Sequence, residues 1–388
     1  METMTAQEQA TVERVNDVPM LGRVERWAAI NTGTANLKGL AHVAGLLADT
    51  FAELPGEIRL VDPAPVDAIL PDGSKQARVH GRHLHLSVRP GANRRVLLTG
   101  HMDTVFAADH SFQTLREQAP GIINGPGVAD MKGGIAVMLA ALKAFEKSNA
   151  ASALGYDVVI NSDEETGSLS SAALIAEVAR GKVAALTYEP AALPDGTLAG
   201  ARPGSGNFSF IVTGKAAHAG RNPEDGRNAL LAAAALALRL AAMKGPGLSV
   251  NPAKIDGGGP NNVVPDHAVL RVNMRPSAPE EEARAVAGIE LAIAEIATLH
   301  QVAIDLHGGF GRPPKPMDPP AEKLFGLVRD CGSALGQSIS WKATGGVCDG
   351  NNIAACGVPV VDTMGVRGGA IHSAEEYLIV ESLGNGPC

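Results

Sequence analysis

Three apolar runs, "RRVLLTG", "YDVVINS" and "VAALTYE", alternate with segments of helical apolar spacing, and this most restricts what the 388-residue chain can fold into. Strands buried on both faces read as continuous apolar runs. Their alternation with "DMKGGIAVMLAALKAFEK" and "SAALIAEVARG" predicts an α/β fold, a mixed, largely parallel sheet covered by helices. Upstream, residues from about Val24 to Leu54 read as one helix. "ARVHGRHLHLSVRP" then alternates like an exposed hairpin carrying His80, His83 and His85, with no acid or cysteine nearby to make it a metal tract.

The pattern changes after "GARPGSG". Strand "NFSFIVTG", helix "GRNALLAAAALALRLAAM", strands "GLSVNPAKIDGG" and "HAVLRVNMRPS", helix "PEEEARAVAGIELAIAEIATLH" and strand "VAIDLHGG" follow one another. That order, β-α-β-β-α-β, is the ferredoxin-like split unit. It predicts an inserted domain at about 201–311 within a discontinuous first domain at 1–200 and 312–388, and a chain this long favours two cores over one. After "GGFGRPPKP" the strand "GVPVVDTM" resumes the first domain.

A formal net charge of −8 and the lack of any Lys/Arg-rich run argue against nucleic acid as a partner. The start lacks a signal peptide's basic and apolar regions, and no stretch reaches the ~20 apolar residues of a membrane span. Cys331, Cys348, Cys356 and Cys388 show no CxxC spacing and are too few for a disulfide framework, so a cytoplasmic location is expected. "TGKAAH" lacks the Ser/Thr of a P-loop, and no GxSxG marks a serine nucleophile.

Ligands of open α/β sheets bind beyond the carboxyl ends of the strands. There the sequence places His101 and Asp103, then Asp163, Glu164 and Glu165, then Glu189, and finally a glycine-rich loop with His372; Asp130 stands at the entry of the Ala/Met-rich helix. So many carboxylates on one rim repel one another unless cations compensate them. Two histidines among several acids suit zinc, with manganese or cobalt as substitutes. One ion takes about four ligands, so the set is used fully only by two ions with Asp130 between them.

"GHMDTV", "GPGVADMKGG", "NSDEETGS", "GKAAHAG" and "NNVVP" resemble the motifs of the di-zinc aminoacylase/carboxypeptidase family of metallopeptidases, nearest its glutamate carboxypeptidase branch, from about Val24 to Val380. The resemblance implies two zinc ions held by His101, Asp130, Glu165, Glu189 and His372, with Asp130 bridging. Glu189 stands where deacetylase-like members carry aspartate. Glu164 is then the general base and acid, facing away from Glu165 on extended backbone. Asp103 orients His101 by accepting its outer ring N–H.

By the same resemblance, His218 supports the oxyanion in a partner subunit's site, and Asn262, Arg275 and Arg312 hold the substrate carboxylate, with Gly345 and Gly346 in a substrate-lining loop. Cys348 in that loop has no neighbouring base and is not read as a nucleophile. The helix Asn228 to Met243 would pair with its twin in a homodimer. The resemblance also implies a last helix after the His372 region, which "YLIVESLGNGPC" curtails. The expected activity is hydrolysis of an amide next to a free carboxylate. The alternatives are an N-acyl-amino-acid deacylase or dipeptidase, and a metal- or peptide-binding protein without turnover.

Overall fold

The computed structural model describes residues 4–385, so Cys388 lies outside the described residues. Its main sheet has six strands in the order Glu57–Val61, His83–Val88, Gly155–Asn161, Arg95–His101, Ala184–Thr187 and Val360–Val361. The last four run parallel, and the first two are antiparallel additions at one edge. Leu84, Leu86, Leu98, Val158 and Ile160 face the larger core, in which the helices Leu37–Phe51 and Gly134–Glu146 bury Leu40, Leu47, Ile135 and Leu139.

Strand Arg95–His101 lies between the two strands that follow it in sequence, so the order of strands reverses on either side of it. Ligand crevices of open α/β sheets form at this kind of switch point, and His101 is the strand's last residue, paired in register with Asn161.

Two expectations are corrected. The stretch from Val24 to Leu54 is two helices, Met20–Ala28 and Leu37–Phe51; Asn36 caps the second through Gly39 N–H, which ends helical continuity across "NTGTAN". The histidine stretch is not an exposed hairpin. Lys75–Arg78 pairs with Val66–Ile69, whereas His83–Val88 is an interior strand of the main sheet, and His80, His83 and His85 are all buried. Here the alternation of polar and apolar residues is offset by partners for the rings, such as Asp157 at 3.0 Å from His85 Nε2.

The inserted unit is a separate antiparallel sheet in the order Leu248–Gly257, His267–Pro276, Ser205–Thr213 and Ala303–Arg312. Helices Ala229–Ala241 and Pro279–His300 pack on it through Leu236, Leu240, Ile289 and Ile296, forming a core distinct from the main one. A third, small sheet joins Arg116–Ala119 and Ile122–Asn124 to Tyr377–Ile379 and Gly368–Gly369. This sheet carries the His372 loop back over the turn bearing Asp130. The chain continues into the five-residue helix Glu381–Asn385, whose Leu383 is buried in the main core. Among the described residues, no helix is long and apolar enough to cross a membrane.

Candidate metal centre and active site

Asp130 lies between two imidazoles. Its Oδ1 is 3.0 Å from His101 Nε2 and its Oδ2 is 3.2 Å from His372 Nε2. Glu189 Oε2 stands 3.7 Å from His101 Nε2, and Glu165 Oε2 stands 3.1 Å from His372 Nε2. Five residues from five separate stretches of chain therefore form two histidine–acid nests sharing one carboxylate. Two sets of donor atoms, from His101, Asp130 and Glu165 and from His101, Glu164 and Glu189, lie within 4.8 Å of one another.

Local backbone sets each position. Val128–Gly133 is irregular, with Asp130 and Met131 outside helical angles, so the helix read from "DMKGG" begins at Gly134 and Asp130 is free to turn into the site. His372 has φ 64°, an uncommon conformation for a residue with a side chain, which places its ring over Asp130 rather than along the strand direction. Glu164–Thr166 is a 3-10 turn, not the extended backbone expected from "DEE". With three residues per turn, successive side chains diverge by about 120°. That separation allows Glu165 to reach His372 while Glu164 faces the cavity.

Asp103 occupies the junction. Its Oδ1 is 3.4 Å from His101 Nδ1, and its backbone carbonyl is nearer, at 3.1 Å. The carboxylate also accepts the backbone N–H groups of Glu164 and Glu165, both at 3.2 Å, and the Thr34 hydroxyl at 2.7 Å. Asp163 belongs elsewhere: its carboxylate accepts from the Ser170 N–H and the Ser170 and Ser171 hydroxyls, capping the loop after the strand.

The electrostatics favour cations. Burial raises the pKa of Glu164, Glu189 and Glu165, the last to about 7. Burial would raise Asp130 as well, but hydrogen bonds from His101 and His372 more than offset it and its pKa is lowered. His372 is pushed up to about 11 by Asp130 and Glu165, while for His101 the acids, Glu189 foremost, outweigh burial. Arg312 meets Glu164, which leaves the two rings to face Asp130, Glu165 and Glu189. A donor set of imidazoles and carboxylates with unmet demand for positive charge fits two divalent ions.

A cavity of about 480 Å³ opens beside the nests; Asp130, Glu164, Glu189 and His372 lie at one end, and the 344–348 and 368–372 loops line its walls. The sequence-selected substrate residues are dispersed. Gly346 lines the cavity and Gly345 is exposed on the same loop. Arg275 donates to the Gly345 carbonyl at 2.9 Å. Arg312 is buried, and its Nη2 donates to Glu164 Oε1 at 2.7 Å, to the Glu164 carbonyl at 2.9 Å and to Ser168 Oγ at 3.0 Å. His218 and Asn262 are exposed neighbours, joined by the Ala219 N–H to the Asn262 carbonyl, and neither lines the cavity. Cys348 is buried in the wall with its thiol pKa pushed up by burial, against a nucleophilic thiolate.

Two residues were missed by sequence reasoning. Glu376 accepts three backbone N–H groups around Asp130; its signal was an acid four positions after His372 in "HSAEE". Arg202, in "GARPGSG", is buried in the cavity wall and clamps Asp362 with two N–H groups, at 2.7 and 3.1 Å. Nothing local in the sequence distinguishes it from a turn residue.

Paired histidine–acid nests around a buried glutamate, at the strand ends of an α/β sheet, define a metal-dependent hydrolase. The chain belongs to peptidase family M20/M25/M40, whose family model matches residues 97–387. It is 29% identical over 371 residues to carboxypeptidase G2 of Pseudomonas sp. (strain RS-16), covering 93% of this chain and 85% of that protein. It is 27% identical over 332 residues to the succinyl-diaminopimelate desuccinylase of Psychrobacter arcticus (strain DSM 17307 / VKM B-2377 / 273-4), covering 80% and 81%. Its fold is also that of the aminopeptidase PepT from Bacillus cereus ATCC 10987, with a TM-score of 0.70 at 22% identity, covering 96% of this chain and 95% of that one.

Proposed function

We propose that this metallohydrolase cleaves an amide bond next to a free carboxylate, releasing a C-terminal amino acid from an N-acyl or peptidyl substrate. The observation that carries the reading is Glu164, buried at the cavity end beside His101 and Glu189, with its carboxylate held by Arg312 rather than by a histidine. The similarity to carboxypeptidase G2 and to a desuccinylase supports the same bond type.

His101, Glu189 and one Asp130 oxygen would hold one ion, and His372, Glu165 and the other Asp130 oxygen the second; zinc suits these donors best. When bound, the ions supply positive charge that polarises the scissile carbonyl and acidifies the attacking water. Glu164 accepts that water's proton and delivers it to the leaving amine. Arg312 holds the Glu164 carboxylate in place, and Asp103 fixes the backbone of the turn that bears it. Arg275, bonded to the Gly345 loop, and Asn262, beside His218, would be partners for the substrate carboxylate.

The same reading makes the protein a homodimer through the inserted unit. Leu230, Leu231 and Leu238 are exposed on Ala229–Ala241, and His218, remote from its own site's cavity, would support the oxyanion in its partner's.

The test is a panel of N-acyl and dipeptidyl substrates ending in Glu, Asp, Phe or Ala, with zinc and after chelation. Glu164→Ala should keep its metal and lose about 10²–10⁴ in kcat. Equal turnover in chelator, or a Glu164→Ala variant active within a few fold, would overturn the reading. Mixing inactive Glu164→Ala and His218→Ala proteins should restore activity if His218 serves the other subunit; a monomeric mass would remove that role.

A further inference from the structure

Arg312, the last residue of strand Ala303–Arg312, reaches Glu164 through a single nitrogen. Among the described residues, its side-chain hydrogen bonds all leave from Nη2, to the Glu164 carboxylate and carbonyl and to Ser168 Oγ, while its buried Nε has no partner. The aim of the guanidinium therefore depends on the acceptors that Nη2 finds. Glu164 lines the cavity, whereas Arg312 and Ser168 do not.

Ser168 is fully buried and has φ 56°, a left-handed conformation that a residue with a side chain adopts only at a cost in energy. Its hydroxyl has one proton to give and lone pairs with which to accept. The proton goes to Asp349 Oδ1, which leaves the lone pairs for Arg312 Nη2 at 3.0 Å and Asn161 Nδ2 at 3.4 Å. Ser168 can accept from Arg312 because Asp349 takes its proton.

Asp349 is buried at the start of the helix Asp349–Ala355, 181 residues away in sequence from Ser168. Its Oδ2 accepts from Asn161 Nδ2 at 2.8 Å, and its Oδ1 lies 3.6 Å from Arg312 Nη2. Burial works against the charge of this acid, and Arg312 and the Ser168 hydroxyl work for it. As a carboxylate it only accepts, so it sets the sense of the whole chain: Asn161 and Ser168 donate to Asp349, and Arg312 donates to Ser168 and Glu164. An amide in its place must turn a donor toward Asn161 or toward Ser168. The first sets donor against donor, and the second turns the Ser168 proton toward Arg312.

We infer that Asp349, acting through the Ser168 hydroxyl, is the positioning residue that keeps Arg312 on Glu164. The inference rests on the proposed reading of Glu164 as the base and adds the residues that hold it in place. Asp349 does not line the cavity, so it acts on the rate of the chemical step and not on substrate binding. Misplacing a reacting group by about 1 Å can cost on the order of 10²-fold in rate.

The experiment compares zinc-loaded wild type, Asp349→Asn, Ser168→Gly, the double variant and Glu164→Ala. Ser168→Gly removes the hydroxyl while suiting φ 56°, so it breaks the chain without straining the backbone. Kinetics use whichever substrate of the panel the wild type turns over fastest. Each single variant should lose about 10–100-fold in kcat with KM within about threefold, and the double variant should lose no more than the worse single one. Zinc content should match the wild type's, and crystal structures of both single variants should show Arg312 Nη2 withdrawn from the Glu164 carboxylate. Arg312 still seated on Glu164, kcat within about twofold of the wild type, losses that multiply in the double variant, or a fall in zinc content that accounts for the lost activity would overturn the inference. Glu164→Ala active within a few fold, with Arg312 withdrawn in both single variants, would instead sink the base reading and leave the link from Asp349 to Arg312 standing.

Discussion

Glu376 Oε1 accepts the backbone N–H of Asp130 at 3.1 Å, across 246 residues of sequence. The same carboxylate takes the Ala129 N–H at 3.0 Å and, through Oε2, the Gly127 N–H at 3.2 Å. One acid thus cradles the turn presenting the shared carboxylate, and it lies four residues after His372. The two histidine–acid nests are linked through this contact as well as through Asp130 itself.

Removing the cradle should loosen the centre before it alters the chemistry. Glu376→Ala leaves three buried donors unsatisfied, at about 1–3 kcal/mol for each group that finds no water. Glu376→Gln keeps an acceptor oxygen and should be milder. Zinc retention during dialysis should fall in the order wild type, Gln, Ala, with the melting temperature following. An alanine variant that held zinc and melted like the wild type would show that the cradle positions nothing.

Asp103 gives a different signature because it binds both an imidazole and the base-bearing turn. Asp103→Asn retains the size of the side chain but turns one acceptor into a donor facing the N–H groups of Glu164 and Glu165. Zinc affinity should fall about 10–100-fold without emptying the site, as is usual when a partner of a metal-binding histidine is lost. Competition against a coloured chelator measures this directly. Affinity equal to the wild type's would leave Asp103 as a turn cap.

Much of this centre was legible in sequence, for physical reasons that can be named. Strands buried on both faces announce themselves as apolar runs, and an acid or histidine at such a strand's end is conspicuous, so His101, Glu164, Glu165 and Glu189 stood out. Arg312 was selected as a carboxylate binder, but the structure places its guanidinium on Glu164, because which acid it meets depends on how the last strand of the inserted unit returns to the site. His83 looked exposed because alternation is a local signal, and burial of that strand depends on neighbours far away in sequence. Glu376 bonds to backbone, and a backbone donor leaves no mark in a sequence.

Arg202 and Asp362 form a buried pair, supplemented by Lys315 at 3.0 Å from Asp362 Oδ2. Truncating one member leaves a buried charge short of its partner, which typically costs about 3–5 kcal/mol. Arg202→Met should therefore lower the denaturant midpoint markedly and free the 344–346 loop, which loses the two hydrogen bonds from Arg202 Nη1. Arg202→Lys preserves charge but not the two-pronged grip and should lie between the two. A midpoint unchanged in Arg202→Met would mean that Lys315 alone satisfies Asp362.

His83 predicts a pH dependence separable from metal binding. The ring is fully buried, with Nδ1 accepting the Ser162 N–H at 3.3 Å and Nε2 3.4 Å from Ser170 Oγ. Burial lowers its pKa below the ordinary 6.5, an effect that Asp163 opposes but does not cancel. The folded protein therefore resists a proton that the unfolded chain accepts once the pH drops below about 6.5. The contribution to stability is constant above that value and declines as the pH falls toward the lowered pKa. Melting temperatures of chelated wild type and His83→Gln, taken from about pH 8 to about pH 5, separate this group from the acids and histidines of the centre, which titrate equally in both proteins. The wild type should lose more of its melting temperature over the acidic half of the range than the variant does. Parallel curves would mean that His83 takes up its proton as readily when folded as when unfolded, and that the Ser162 and Ser170 contacts hold either form.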